Sequence, residues 1–393
     1  MNLLPRFLFL FQAFPAEITK QQFLQWDKIL SRFIWQGKKP RVRFKTLQLS
    51  KEKGGMAVPN LKDYFYSAQL KPLISHCNPN YHARWKDIEL VLVSDPPIQA
   101  LMGNKDIGEN LSKIENPWIV IQLKIWSQFK EEYRLHNNLK IVRWCAYDHD
   151  FKPNQLDTRF LNWTMQGLNT YYSLLDKGIM KEFQTLKDNH NLGNNDFYRY
   201  LQLRTYINKE ILYNMDTQEP VLSEILMAYK GKCKKGMISR LYKGFMNKKP
   251  TSTKYIKSKW EKESNTTMTD EEWKDCCISV WKCTNSHVWR EFRWKCLMRF
   301  FLTPKQKKPD NEDKSKCWRR CGDLEANHYH IFWDCPIIKQ FWKEIHKHIE
   351  SILNETIPCN FNSLILGKTQ LQPMNENLFR ILITADKKAL TRH

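Results

Sequence analysis

Cys317, Cys321, His330 and Cys335 stand in the pattern C-x3-C-x8-H-x4-C. Thiolate sulfur and imidazole nitrogen are the donors that zinc takes in tetrahedral sites, and a short cysteine pair places two sulfurs on one turn. Four protein ligands leave no open position for water, so the expected role is structural rather than catalytic. His328, separated from His330 by Tyr329, competes for the fourth position. His330 is the expected ligand because it gives the shorter, knuckle-like spacing to Cys335. The bland reading of the same residues is three buried cysteines in an aromatic core with Trp318, Phe332 and Trp333. The chain has 11 cysteines, an odd and scattered set. Such a set suits a reduced compartment better than a disulfide scaffold.

A second chemistry is suggested by charge. With 63 Lys+Arg against 41 Asp+Glu, the 393-residue chain carries a formal charge of +22. That excess calls for an anionic partner, either nucleic acid or an acidic membrane surface. Lys38, Lys39, Arg41, Arg43 and Lys45 form one basic strip, made extended by Pro40. The segment Lys230 to Trp260 holds 11 Lys/Arg and no acid. Lys232, Lys234, Lys235, Arg240, Lys243, Lys248 and Lys249 form its patch, with Tyr242, Phe245, Tyr255 and Trp260 interleaved. Cationic side chains displace counterions from phosphates, and aromatic faces stack on unpaired bases. The alternative is a solvated linker whose aromatics pack elsewhere. Arg319 and Arg320 add two cations on the knuckle itself.

Other reactive arrangements are missing. The sequence has no adjacent Asp pair of the polymerase type, no Gly-rich phosphate loop, no G-x-S-x-G and no H-E-x-x-H. Asp148-His149-Asp150 is the nearest approach to an acid–base cluster and reads as a solvated turn.

The elements that must position these residues are mostly helical. Apolar positions from Glu17 to Trp35 recur at helical spacing, and Gly37 ends the run. Gly54-Gly55 marks a turn. A helix from Leu61 to Leu70 is expected to stop at Pro72. Asp95 to Gly108 reads as a loop, Pro117 to Arg134 as a helix, and Phe151 to Ala228 as helices broken near Asn189 to Asn195. Thr269 to Glu272 is a capping box, in which hydroxyl and carboxylate satisfy orphan backbone donors reciprocally. A helix carrying Trp289, Phe292, Cys296 and Phe300 stops at Thr303-Pro304. Lys305 to Lys316 reads as a linker. Pro336 suits the first position of a helix with Ile337, Ile338, Phe341, Trp342, Ile345 and Ile349 facing the core.

The fold class expected is therefore mainly α: a multi-domain helical chain with a small zinc-knuckle-like module near its end. Boundaries are expected at 1–95, 96–229, 230–260 and 261–393, with the Cys/His motif at 317–335. Hydrophobic content of 42% argues against disorder, and no run of about 18–20 apolar residues is long enough to cross a bilayer. The apolar start from Leu3 to Phe14 lacks a basic lead-in and a clear cleavage site. A secreted product is not expected; nuclear or cytoplasmic residence is.

Several stretches together resemble the second open reading frame product of LINE-type (non-LTR) retrotransposons. Leu4-Pro5-Arg6-Phe7-Leu8-Phe9-Leu10-Phe11-Gln12 is similar to the segment after that family's polymerase palm. So is Phe33-Ile34-Trp35 followed by Gly37-Lys38-Lys39-Pro40-Arg41. Lys53-Gly54-Gly55-Met56-Ala57-Val58-Pro59-Asn60-Leu61, with Tyr64-Phe65-Tyr66 and Ala68, resembles its thumb. Phe197-Tyr198-Arg199-Tyr200-Leu201-Gln202-Leu203-Arg204 resembles its connecting domain. Cys317, Cys321, His330 and Cys335, with Trp333-Asp334, match its C-terminal Cys/His motif.

The resemblance implies a thumb-like region, a connecting region and a Cys/His C-terminal domain that touch RNA or DNA. The family's endonuclease and its polymerase palm have no counterpart here, so no catalytic residue is carried over and no enzyme activity is expected of the chain alone. Asp386 stands where the family's helix would carry a small apolar residue, as in a truncated, decaying copy. The function expected is that of a truncated reverse-transcriptase-like protein that keeps RNA and DNA backbone contacts. Its rival is a non-functional or scaffold-like remnant with no specific nucleic-acid binding.

Overall fold

The computed structural model describes residues 3–91, 97–104, 107–112, 114–213, 218–232, 235–250, 252–307 and 316–391. They are mainly α-helical; the one sheet among them is a two-residue antiparallel pair, Leu175–Asp176 with Ile179–Met180. Its turn residues Lys177 and Gly178 both have positive φ, 48° and 86°, the requirement of a tight type I′ hairpin. No helix among the described residues is long and apolar enough to cross a membrane. The chain divides into two compact units, Met1–Trp26 with Asn60–Lys249, and Asp27–Pro59 with Pro250–His393. The expected segments 1–95 and 230–260 thus each contribute to both units.

The first unit is built around helix Leu61–His76, which is buried on most of its circumference. Helices Leu3–Ala13, Pro117–Glu132, Pro220–Tyr229 and Met237–Lys248 pack on it. Pro72 does not stop this helix as expected; it lies inside it. Apolar burial of Leu70, Leu73 and Ile74 on either side outweighs the one backbone hydrogen bond that proline removes. The expected loop before Gly108 also contains structure: Ile98–Met102 is a short helix with Ile98, Ala100, Leu101 and Met102 buried. Trp126 Nε1 and Lys130 Nζ both donate to the Met102 carbonyl, at 2.6 and 3.3 Å, closing that helix end.

Asp148 is not in a solvated turn. It is 2% exposed. Its carboxylate accepts from Arg143 at 3.0 Å, from the Tyr171 hydroxyl at 3.0 Å and from the Tyr206 hydroxyl at 3.1 Å. A buried carboxylate needs such partners to offset its desolvation. The cluster ties Arg143, Tyr171 and Tyr206 together and is structural.

The second unit has its own aromatic core, with Trp260, Trp273, Trp294, Phe332 and Trp342 buried. The capping box forms as expected: Thr269 N–H donates to Glu272 at 2.9 Å and Glu272 N–H to the Thr269 hydroxyl at 3.1 Å. Helix Asp270–Lys282 follows, then His287–Leu297. The latter ends at Leu297, before the expected stop, because Arg299 turns to φ 55°. Pro336 occupies the first turn of helix Pro336–Leu353, which buries Ile338, Trp342, Ile349 and Leu353 but leaves Ile337 exposed. Gly54 takes φ 83° at the expected turn, and its carbonyl accepts from Trp294 Nε1 at 2.9 Å. A side chain at Gly55 would place its Cβ 2.0 Å from the Leu49 carbonyl oxygen, so only glycine fits this close backbone approach. Of the expected linker Lys305 to Lys316, residues 308–315 lie outside the described residues; Pro304–Lys307 is one helical turn.

Candidate metal centre and basic surfaces

Two local structures bring the Cys/His residues together. Arg320 N–H donates to the Cys317 carbonyl at 2.9 Å, and Arg320 (φ 56°) and Gly322 (φ 89°) reverse the chain around Cys321. The other half is a π-helical turn, His330–Asp334, closed by Cys335 N–H to the His330 carbonyl at 3.0 Å. That five-residue closure sets His330 and Cys335 on one side of the backbone. The two halves are joined by Cys317 N–H to the Asp323 carbonyl at 3.0 Å and by His330 N–H to the Asn327 side chain at 2.8 Å.

The four donor atoms of Cys317, Cys321, His330 and Cys335 all lie within 4.8 Å of one another. The Cys317 and Cys335 sulfurs are 4.0 Å apart, and Cys321 Sγ is 3.3 Å from His330 Nε2. A tetrahedron with metal–sulfur bonds of about 2.3 Å has edges of about 3.8 Å, so these side chains form a set that can hold a metal ion. His330 Nδ1 meets the Asp323 carboxylate at 2.8 Å, which leaves Nε2 turned to the sulfurs. A carboxylate on the far nitrogen fixes tautomer and ring orientation, as outer partners of metal-bound histidines do. Burial pushes the Cys317 thiol up to about 11, with the neighbouring cysteine sulfurs adding to it. Cys321 sits below its ordinary value: burial works against this, but hydrogen bonds from Asp323 N–H and the other two thiols outweigh it.

His328 is outside this cluster. It is buried, its ring stands edge-on to Trp260 at 6.1 Å, and burial pushes its pKa down to about 3. It is a neutral core residue, and His330 is the histidine of the set.

No known protein-family model matches this chain.

The basic residues fall into two kinds. In the strip, Lys38, Lys39, Arg41, Arg43 and Lys45 are exposed and make no ion pair among the described residues. Arg41 instead lies over the Phe300 ring at 5.1 Å. In the second patch the acid absent from the local sequence arrives from elsewhere. Arg240 pairs with Glu224 through two hydrogen bonds of 2.5 and 2.9 Å, Lys248 pairs with Glu219, and Lys249 pairs with Asp63 at 2.5 Å. Lys232, Lys235 and Lys243 are exposed without ion pairs among the described residues. Lys234 lies outside the described residues.

The patch's aromatics are mostly occupied. Phe245 and Trp260 are core residues, and Tyr242 stacks on Tyr64 with ring centroids 3.8 Å apart. Tyr255 is the exposed one. The segment is two helices, Met237–Lys248 and Lys254–Ser264, rather than a linker. On the knuckle, Arg320 is exposed, whereas Arg319 is half-buried and donates to the Ile331 carbonyl at 3.1 Å.

Asp323 and Asn327 were not among the expected site residues. The signal for Asp323 was present in its place two residues after a candidate ligand, within reach of the reversing turn.

Proposed function

We propose that this chain is a nucleic-acid-binding protein related to LINE-type retrotransposon reverse transcriptases, whose second unit is braced by a structural zinc. The observation that carries the binding reading is the strip Lys38 to Lys45, five cations in eight residues, all exposed and without ion pairs among the described residues. Cations already spent on buried carboxylates have less to gain from phosphate, so the strip outranks Arg240, Lys248 and Lys249. Lys232, Lys235, Lys243 and Arg320 join it as secondary contacts.

Three sulfurs and one imidazole nitrogen at tetrahedral spacing suit zinc, which has no geometric preference of its own to oppose them. Zinc neutralises thiolates that would otherwise crowd one another, and all four positions are taken by protein, so its role is to hold the knuckle and not to activate water. The rival reading, an inert remnant, draws on exposed apolar side chains such as Leu24, Ile29 and Phe33 on helix Lys20–Ile34.

Titration of the purified chain into a labelled RNA hairpin and a matched single-stranded DNA, from low to physiological salt, separates the two. Binding whose log–log salt slope corresponds to several phosphates, at about 0.7–0.9 each, supports the proposal. Absence of binding at low salt, or aggregation of the free protein, supports the rival.

A further inference from the structure

Beside the strip, within the second unit, lies a groove of about 700 Å³ whose walls include Trp35, Lys38, Lys39, Arg41, Lys295 and Phe300. Its charge is one-sided. Four cations line it against one carboxylate, Glu291, which is already paired with Lys295 at 2.6 Å. Its aromatic wall is ordered: the Trp35 and Phe300 rings are nearly parallel, 7° apart in plane with centroids separated by 5.8 Å. The Arg41 guanidinium and the Lys295 ammonium lie 5.1 and 5.2 Å from the Phe300 centroid, so the ring fixes two of the cations at the groove. Leu47, Met56 and Leu302 add apolar lining.

One donor there is unsatisfied. Trp35 Nε1 is buried and has no acceptor among the described residues. Buried indole N–H groups ordinarily find a partner, so this one leaves a hydrogen bond unmade behind the groove wall.

We propose that this groove seats unpaired nucleotides, with phosphates against Lys38, Lys39 and Arg41 and bases against the aromatic and apolar wall. The proposal rests on the nucleic-acid reading above and narrows it to single strands. Cations beside an apolar, aromatic wall match a ligand that carries charge and a flat ring on each unit. A duplex stacks its bases on one another and offers such a wall only its backbone. The groove's size is that of a site for one or two such units rather than for a long helix.

The test compares a single-stranded oligouridine with a duplex RNA of equal length at one salt concentration, for the wild type and for Phe300→Leu and Trp35→Phe. The wild type is expected to prefer the single strand. Phe300→Leu is expected to weaken single-strand binding by roughly 5- to 100-fold, the range for removing one ring on which a base stacks, and to weaken duplex binding far less, through the loosened Arg41 and Lys295 alone. Trp35→Phe, which keeps a ring but a smaller one, is expected to show a smaller loss in the same direction. An oligouridine carrying 5-iodouracil, cross-linked to the wild-type protein, checks the site without any variant; adducts are expected at Trp35 or Phe300. Equal binding of both nucleic acids with adducts only elsewhere overturns the groove while the backbone-binding reading stands. Failure of the wild type to bind either nucleic acid overturns both.

Discussion

His330 Nδ1 and the Asp323 carboxylate lie 2.8 Å apart, with the opposite ring nitrogen 3.3 Å from Cys321 Sγ. One hydrogen bond thus aims the imidazole at three sulfurs. Asp323→Asn keeps the shape and removes the charge. It is expected to lower zinc affinity by about 10- to 100-fold while leaving one metal per chain at saturation. Competition against a chromophoric chelator measures it; unchanged affinity would deny Asp323 its part.

The two neighbouring histidines separate by their surroundings. His330→Ala is expected to abolish stoichiometric zinc and the thiolate absorption of the cobalt-substituted protein. His328→Ala, in the core beside Trp260, is expected to keep the metal and to lower stability by about 1–3 kcal/mol. Metal content and thermal melting of the two variants check this directly.

Much of this site was legible because its determinants are local. The cysteine and histidine spacings, the Thr269 capping box and the proline at the start of helix Pro336–Leu353 each act within a few residues. What stayed hidden acts across the chain. Asp63, Glu219 and Glu224 neutralise Lys249, Lys248 and Arg240 from other helices. Burial by neighbouring helices carries the chain through Pro72, and the partners Arg143, Tyr171 and Tyr206 turn Asp148 from a surface acid into a buried hub. Arg143 apart, which lies close to Asp148 in sequence, these partners stand too far apart for any short window of sequence to hold both.

Arg240 illustrates the consequence. Arg240→Gln removes the two-point clasp on buried Glu224. The expected result is a loss of about 1–3 kcal/mol in stability, read by denaturant unfolding, with no change in the salt slope of RNA binding.

Lys387 sets a pH dependence. It is 3% exposed and donates to the Ile365 carbonyl. Burial, with Arg293 adding to it, pushes its pKa down to about 7, against the pull of Cys296, Cys276 and Asp386. The unfolded chain keeps that proton to about pH 10.4. Between the two values the unfolded state binds more protons, so this group makes stability rise with pH. Below about pH 7 its full penalty is felt. Lys387→Met is expected to be more stable than the wild type by about 1–4 kcal/mol at pH 6. The difference should shrink as pH rises towards 10; a difference independent of pH would refute the assignment.

The most direct test of the account is the salt dependence of RNA binding by the variant with Lys38, Lys39, Arg41, Arg43 and Lys45 all changed to Gln. Zinc content and melting temperature should match the wild type, since these side chains are exposed. The log–log slope should fall by about 0.7–0.9 for each phosphate the variant no longer neutralises, with affinity at low salt reduced at every sequence. The same changes at Lys232, Lys235 and Lys243 should cost less. A folded strip variant that keeps wild-type affinity and slope would contradict the proposed function.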